Sequence, residues 1–136
     1  MTSVNTKKFI TKERGWPGHF CNAKDCLYRR NTLIMRPFPF FVDKAIVVST
    51  VGNYRPNEQK GVDAPHMLGF NRYYETMAFM SDMNDPYLDA DVRKEVSFDS
   101  NWCLDSWEDD DIDLQADEMH NAVVEEISEK LERGEL

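Results

Sequence analysis

The chain has 136 residues and a formal net charge of −9 at pH 7, with 41% hydrophobic and 30% charged residues. This balance predicts one globular domain (residues 1–136) with a real core. No stretch approaches the roughly 18 apolar residues of a membrane span, and the first residues lack a signal peptide's apolar segment, so we expect a cytoplasmic protein with no membrane partner. Three cysteines, an odd count, do not favour a secreted disulfide framework.

Charge is distributed unevenly along the chain. Residues 1–40 carry eight Lys or Arg against two acids, residues 41–100 carry six against ten, and residues 101–136 carry two against thirteen. The chain therefore begins basic and ends strongly acidic. Because the acidic excess repels phosphates, we expect no direct binding of nucleic acid and favour a partner with a basic surface.

The first third predicts short and irregular elements. Residues 1–13 read as a loose start or a short edge segment, and Arg14 to Phe20 contains the glycines and proline of a turn. Leu27 to Met35 has the composition of a strand. The following segment, RPFPFF from Arg36 to Phe41, is predicted to be an unpaired extended link, because two prolines remove backbone donors.

Two further strands follow, and they form the centre of the predicted fold. Lys44 to Val51 is rich in Val, Ile and Thr, and Leu68 to Met80 carries apolar groups on both of its faces. The second of these should therefore be an interior strand. The polar stretch from Gly52 to Pro65 predicts a long loop that joins the two as a hairpin.

Residues 81–107 predict a turn and a third strand. Ser81 to Asp91 is an acidic turn that lacks the sixth-position glycine and closing glutamate of a calcium-binding EF-hand loop. Val92 to Ser100 is predicted to be a strand beside the interior one, and Asn101 to Trp107 either continues it or turns back. We thus divide the domain into a loose start (1–13), a β-rich body (14–107) and an acidic helix (108–136).

The last segment has the pattern of an amphipathic helix that runs to about Arg133. Either Asp111 or Asp113 is a suitable N-cap, and Gly134 suits the position just after the helix. Glu126 with Lys130, and Glu129 with Arg133, are spaced as i,i+4 ion pairs. One apolar stripe recurs at spacings of three and four residues: Ala116, Met119, Val123, Ile127 and Leu131. The fold class is therefore α+β, an antiparallel sheet of four to five strands with this helix packed on one face.

Cysteine and histidine residues offer one candidate for chemistry. His19, Cys21 and Cys26 are soft ligands within eight residues, although H-x-C-x4-C is not a familiar zinc spacing. A fourth ligand would have to come from elsewhere: Cys103, His66 or His120. Cys21 beside His19, with Asp25 nearby, also has the chemical types of an activated nucleophile. We expect no metal, no cofactor and no catalytic residue, and keep a small metalloprotein or enzyme as the alternative.

Two other groups of residues combine charge with aromatic rings. The first lies in the basic third: Lys24, Arg29, Arg30 and Arg36, with Tyr28 and Phe38. Such groups can bind single strands, but we favour pairing with the chain's own acidic third. The second group is Arg72, Tyr73, Tyr74 and Glu75. There we favour a half-exposed sheet face with a cross-strand ion pair over a groove.

The acidic third is the predicted partner-binding surface. Carboxylates spaced along a helix approximate the row of phosphates on one strand of duplex DNA. The residues predicted to contact the partner are Glu108, Asp109, Asp110, Asp111, Glu118, Glu125 and Glu129, with Glu132 beside them. A solvated helix face with no partner is the alternative reading of the same residues.

Six segments together resemble a family of small proteins carried by bacteriophages and mobile elements. They are RGWPGHFC, CLYRRNTLI, VVSTVGNY, NRYYETMAF, ADVRKEVSFDS and DEMHNAVVEEI. The resemblance implies a context in which small acidic proteins bind a host machine, as anti-CRISPR inhibitors that mimic DNA do. We therefore expect a non-enzymatic protein that binds a basic host protein or complex in a bacterial cell, with a structural protein of a virion or phage assembly as a further alternative.

Overall fold

The computed structural model describes residues 9–14, 26–38, 41–53, 74–104 and 111–136, and for residues 26–29, 38, 41 and 53 it describes the backbone alone. These ranges contain six strands and one helix. They are β1 (Ile10–Glu13), β2 (Cys26–Phe38), β3 (Phe41–Asn53), β4 (Tyr74–Ser81), β5 (Ala90–Glu95), β6 (Cys103–Leu104) and α1 (Ile112–Glu132). The strands form one antiparallel sheet in the order β1-β2-β3-β4-β5, with β6 also paired to β4. The predicted α+β class is confirmed.

The prediction that residues 36–41 form an unpaired link is wrong. Strands β2 and β3 pair up to their connecting turn, with Pro37 opposite Val42 and Phe38 opposite Phe41. The register shifts between Arg36 and Pro37, and β1 pairs with β2 only between Thr32 and Met35. Proline is tolerated at such a bulge, where its missing N–H interrupts no regular ladder.

Gly52 is part of β3, although its sequence context predicts a loop. It pairs with Tyr74 of β4, and the Tyr74 ring covers it so closely that a Cβ added at Gly52 would lie 2.3 Å from the ring. A glycine at this position therefore makes room for the ring of the facing strand.

Strand β4 is an interior strand, as predicted, although residues 68–73 of the predicted segment lie outside the described residues. Strand β3 pairs along one edge of β4, while β5 and β6 share the other edge. The predicted strand over 92–100 is too long, because residues 97–101 leave the ladder between two backbone bonds. These bonds are Val96 N–H to Ala78 O and Thr76 N–H to Trp102 O, both 2.8 Å. We call residues 97–101 the excursion.

Both faces of the sheet are buried, which explains the continuous apolar run in β3. On the helix face, Ile34, Ile46, Val48 and Ala78 pack against Val123, Ile127 and Leu131 of α1. On the second face, Leu33, Ala45 and Val47 form a separate cluster that Leu88, from the turn between β4 and β5, helps to cover. The sheet thus has a hydrophobic cluster that is independent of the helix.

Helix α1 docks through the predicted stripe, all five residues of which are buried. It begins after Asp111, which makes no side-chain cap hydrogen bond. It ends in a Schellman motif, where Gly134 has φ +77° and the Glu135 N–H donates to Lys130 O at 2.8 Å. The Glu126–Lys130 pair forms at 3.2 Å, whereas Arg133 bonds to Glu135 at 2.7 Å. None of the helical structure in the described ranges combines the length and apolar character needed to cross a membrane.

Candidate functional site

The acidic residues of α1 fall into two groups, and the first points outward. We call Glu118, Glu125, Glu129 and Glu132 the outer acidic row. All four are exposed, and they form no salt bridge with any cation among the described residues. Their spacings of seven, four and three residues keep them on one side of the helix, over a length of about 21 Å.

The second group points toward the protein and is bonded within it. Asp113 accepts a hydrogen bond from the Tyr74 hydroxyl, and Asp117 lies 4.0 Å from the Arg30 guanidinium. Glu126 bonds to the excursion and to Lys130. The fold therefore uses these three carboxylates for structure, whereas the outer acidic row pairs with no cation in the described ranges.

Glu126 is the most heavily bonded of the structural carboxylates. It accepts the Asp99 N–H at 2.7 Å, the Ser100 N–H at 2.8 Å and the Ser100 hydroxyl at 2.6 Å. Although partial burial acts to raise the pKa of Glu126, these bonds and Lys130 lower it to about 2. The carboxylate thus holds the excursion against the helix.

The predicted partner-binding residues are only partly within the described chain. Glu108, Asp109 and Asp110 lie outside it. Asp111 is exposed at the start of α1, where its carboxylate accepts a hydrogen bond from the Gln115 amide at 2.7 Å. The remaining predicted residues, Glu118, Glu125 and Glu129, are members of the outer acidic row.

The candidate metal ligands are not brought together within the described residues. His19, Cys21 and His66 lie outside the described ranges, as does the side chain of Cys26. Cys103 is a half-buried free thiol in β6. No group of three His, Cys, Asp or Glu residues in the part of the chain that the structure describes could hold a metal ion.

The acidic turn between β4 and β5 uses its carboxylates to bond its own backbone. Asp82 accepts the Asn84 N–H at 2.9 Å, and Asp85 accepts the Tyr87 and Asp89 N–H groups at 2.9 and 3.1 Å. These are Asx-type turns, in which the carboxylate replaces a backbone acceptor.

The basic and aromatic candidates are also structural where the chain is described. Arg30 forms its close ion pair with Glu13 of β1, through two bonds of 2.9 and 3.0 Å, rather than with the acidic third. It reaches the acidic third by donating to the Asn121 side chain at 2.8 Å and by lying 4.0 Å from the Asp117 carboxylate. Arg36 instead pairs with Asp43 of β3 at 2.7 Å. The remaining members lie outside the described residues or are described by backbone alone: Lys24, Tyr28, Arg29 and Phe38.

Tyr74 corrects the expectation of a half-exposed tyrosine face. It is 1% exposed and packs against Ile112, Ala116 and Met119 at the start of α1. Arg72 and Tyr73 lie outside the described residues, so the predicted cross-strand pair is not described. Tyr74 is therefore a core residue whose hydroxyl anchors the helix through Asp113.

A chain of polar side chains lies beneath α1, and the sequence analysis did not find it. We call it the polar relay: Glu13, Thr32, His120, Thr50 and Thr76. His120 is fully buried, with 2.8 Å from its Nε2 to Thr32 Oγ1 and 2.8 Å from its Nδ1 to Thr50 Oγ1. Thr32 donates to the Glu13 carboxylate at 2.8 Å, and Thr50 lies 2.6 Å from Thr76.

The direction of every hydrogen bond in the polar relay follows from Glu13. An ionised carboxylate only accepts, so the single hydroxyl proton of Thr32 points to Glu13. Thr32 must then accept from His120, which places the imidazole proton on Nε2. Nδ1 is left as an acceptor, so Thr50 donates to it and in turn accepts from Thr76. A carboxylate at the surface therefore fixes the tautomer of a fully buried histidine.

The electrostatic environment keeps His120 neutral and Glu13 ionised. Burial, and then the nearby Arg30 guanidinium, lower the pKa of His120 to about 4. Partial burial acts to raise the pKa of Glu13, but its hydrogen bonds to Arg30 and Thr32 outweigh that effect and lower it. The two shifts favour the same protonation states that the hydrogen-bond directions require.

One feature of the sequence indicated that His120 of the polar relay is buried. His120 lies four residues after Ala116 and three before Val123, so it occupies the apolar stripe rather than the polar face. The three threonines become its neighbours only through the pairing of β2, β3 and β4. That register depends on tertiary packing and is not readable from one sequence.

A second polar cluster lies on the other face of the sheet. Arg14 donates to the Asn31 side chain at 3.0 Å and to Tyr87 O at 2.7 Å, and so ties the turn after β4 to the edge of the sheet. Arg14 Nη2 and Asn31 Nδ2 are buried and have no hydrogen-bond partner among the residues that the structure describes. Because both atoms are closed to solvent, this arrangement offers no open position to a ligand.

No protein-family model matches the chain, and comparisons with curated proteins and with solved structures give no significant match. The resemblance to a phage-borne family therefore stays a prediction.

Proposed function

We propose that the protein is a non-enzymatic binding protein whose outer acidic row docks on a basic surface of a partner protein or complex. One observation carries this proposal: Glu118, Glu125, Glu129 and Glu132 are exposed on one side of a docked helix, while the other acids of the helix are bonded internally. A charged row on a rigid element can complement a fixed pattern of cations.

The geometry suits a partner that binds a nucleic-acid backbone. Four carboxylates over about 21 Å present a linear series of negative charges, and such a partner provides a matching groove of Lys and Arg. In this proposal the protein competes with DNA for that groove and inhibits the partner. A bacterial cytoplasm and a host defence or DNA-handling complex are the setting that the phage resemblance implies.

The first test compares two double variants with equal changes in charge. Glu125→Gln with Glu129→Gln removes two charges from the centre of the outer acidic row. Glu95→Gln with Asp99→Asn removes two charges from exposed positions off the helix. Each tagged protein is used to capture partners from a bacterial lysate, with mass spectrometry for identification and about 0.05 to 0.5 M salt in the binding buffer.

We expect the helix variant to bind the captured partner about tenfold more weakly at low salt, and the control variant to bind like the parent. The difference should shrink as salt rises, because ions screen exposed charges. Equal binding by all three proteins at every salt concentration would make the outer acidic row a solubility device. Displacement of the protein by added duplex DNA tests the mimicry separately, since an acidic surface can bind a partner that does not bind DNA.

A further inference from the structure

We propose that the polar relay is a proton-linked latch that holds α1 on the sheet and releases the helix in acid before the sheet unfolds. The latch itself depends only on the fold. Its consequence for binding, that the outer acidic row is presented as a rigid row only near neutral pH, rests on the proposed function.

The hydrogen bonds around His120 leave no room for a second proton on its ring. Thr50 already donates to Nδ1, so an added proton there would meet another proton. To accept from Nδ1, Thr50 would have to turn its proton to Thr76, and Thr76 would have to turn its own proton away. The relay can therefore accept a proton only by reversing its bonds on the β3 and β4 side.

The charges around the imidazole act in opposite directions. Glu13 of β1 and Asp117 of α1 favour the protonated ring, while Arg30 of β2 and full burial oppose it. The groups facing His120 from β3 and β4 are the neutral hydroxyls of Thr50 and Thr76. Burial and Arg30 outweigh the two carboxylates, so the pKa of His120 is low while the helix is docked. When the helix is undocked, the ring binds a proton with its ordinary pKa.

The path by which the proton reaches His120 is the opening of α1. The ring lies in the buried stripe between Ala116 and Val123, so water reaches it when this part of α1 leaves the sheet. The sheet keeps its second-face cluster of Leu33, Ala45, Val47 and Leu88 when the helix leaves. Local opening of α1 is therefore separable from unfolding of the sheet.

The size of the effect follows from the two protonation equilibria. An ordinary histidine has a pKa of 6.5, and in the docked state the pKa of His120 is lowered to about 4. Linkage then increases the opening of α1 by about 20-fold between pH 7 and pH 5. Acid must favour opening of α1, because lowering the pH stabilises the state that binds the proton more tightly, and that state is the undocked helix.

The experiment is hydrogen exchange with mass spectrometry on the intact protein at several pH values between about 7 and 4.5, corrected for intrinsic exchange rates. We expect the protection of α1 peptides to fall by about 20-fold between pH 7 and pH 5, and that of β3 peptides to fall much less. Equal losses in α1 and β3, or no loss in α1, would overturn the proposal. An NMR titration of His120 with an ordinary midpoint would overturn it as well.

Two variants make the test specific. His120→Gln keeps an amide donor and acceptor but has no titrating ring, so α1 protection should become nearly independent of pH in this range. Glu13→Gln, at an exposed edge position, removes a charge that favours protonation of the docked ring and so lowers the docked pKa of His120 further; the opening of α1 between pH 7 and pH 5 should then increase at least as much as in the parent. It also provides a folded test protein if His120→Gln does not fold. Unchanged pH dependence of α1 protection in His120→Gln, or a weaker pH dependence in Glu13→Gln than in the parent, would contradict the latch. Because exchange is measured without a partner, failure of the binding proposal would leave these results unaffected.

Discussion

The bonds made by Glu126 predict that neutralising this residue destabilises the protein, whereas neutralising its neighbour does not. Glu126 accepts donors on both carboxylate oxygens, from Asp99 and Lys130 on one and from Ser100 on the other. In Glu126→Gln one oxygen becomes an NH₂ group, which cannot accept. One side of the contact to the excursion or to Lys130 is then lost. Glu125→Gln makes the same chemical change at an exposed position with no bond to another described residue, and so serves as the matched control.

The magnitude comes from the pKa of Glu126, which is lowered from 4.5 to about 2. A difference of that size corresponds to about 3 kcal/mol of preference for the ionised form in the folded state. The carboxylate is partly open to solvent, so screening reduces the expected loss in Glu126→Gln to about 1–2 kcal/mol at pH 7. Glu125→Gln should change the free energy of unfolding by less than about 0.5 kcal/mol.

The stabilisation by the Glu126 carboxylate should also depend on pH. Because the pKa is lowered on folding, the stabilisation by Glu126 is fully present above pH 4.5 and is lost as the pH falls toward 2. Urea unfolding at pH 7 and at several acidic values should show the parent and Glu126→Gln converging below pH 4.5. Hydrogen exchange should show the amides of Asp99 and Ser100 losing protection in the variant. If Glu126→Gln were as stable as Glu125→Gln at pH 7, the carboxylate would not be holding the excursion.

Three further predictions concern the core and its anchors, each measured by urea unfolding against the parent. Ile127 is fully buried, so Ile127→Ala should lower the free energy of unfolding by about 2–4 kcal/mol, and Ile127→Asp should lower it further by opposing the docking of α1. A smaller loss for Ile127→Ala would mean that the docking of α1 contributes little to stability at neutral pH. Gly52→Ala would place a methyl group 2.3 Å from the Tyr74 ring and should cost about 1–3 kcal/mol, whereas an unchanged stability would show that the ring moves freely. Tyr74→Phe removes the bond to the Asp113 carboxylate and should cost about 1–2 kcal/mol, whereas an unchanged stability would show that this bond does not anchor α1.

Elements with a strong local pattern could be predicted from the sequence. The stripe of α1, its glycine stop and the Val-rich β3 each depend on residues close together in the chain. The extent of β2 could not be predicted, because Pro37 pairs at a bulge whose position depends on β3. Gly52 was predicted to begin a loop for a related reason. Its neighbours in the sequence do not distinguish a glycine that makes room for a facing ring from a glycine in a turn.

The candidate site divides in the same way. The outer acidic row follows from helical spacing alone, so its members could be named before the structure. The sequence could not show which acids of α1 bond within the protein and which belong to the outer acidic row. Asp113, Asp117 and Glu126 have partners that come from β4, β2 and the excursion, all distant in sequence. The polar relay was missed altogether, since its threonines lie on three strands and its registers are set by packing.

The arrangement of like charges on α1 bears on why the outer acidic row exists. Glu125 and Glu129 are four residues apart, and Glu129 and Glu132 are three apart, so each pair repels by a few tenths of a kcal/mol. A helix face with charges of both signs would keep the protein equally soluble and would avoid this repulsion. Arg133, four residues after Glu129, bonds to Glu135 at 2.7 Å, so the predicted i,i+4 ion pair with Glu129 does not form and Arg133 attracts Glu129 only at longer range. These repulsions between like charges oppose the row, and a cationic partner would relieve them on binding.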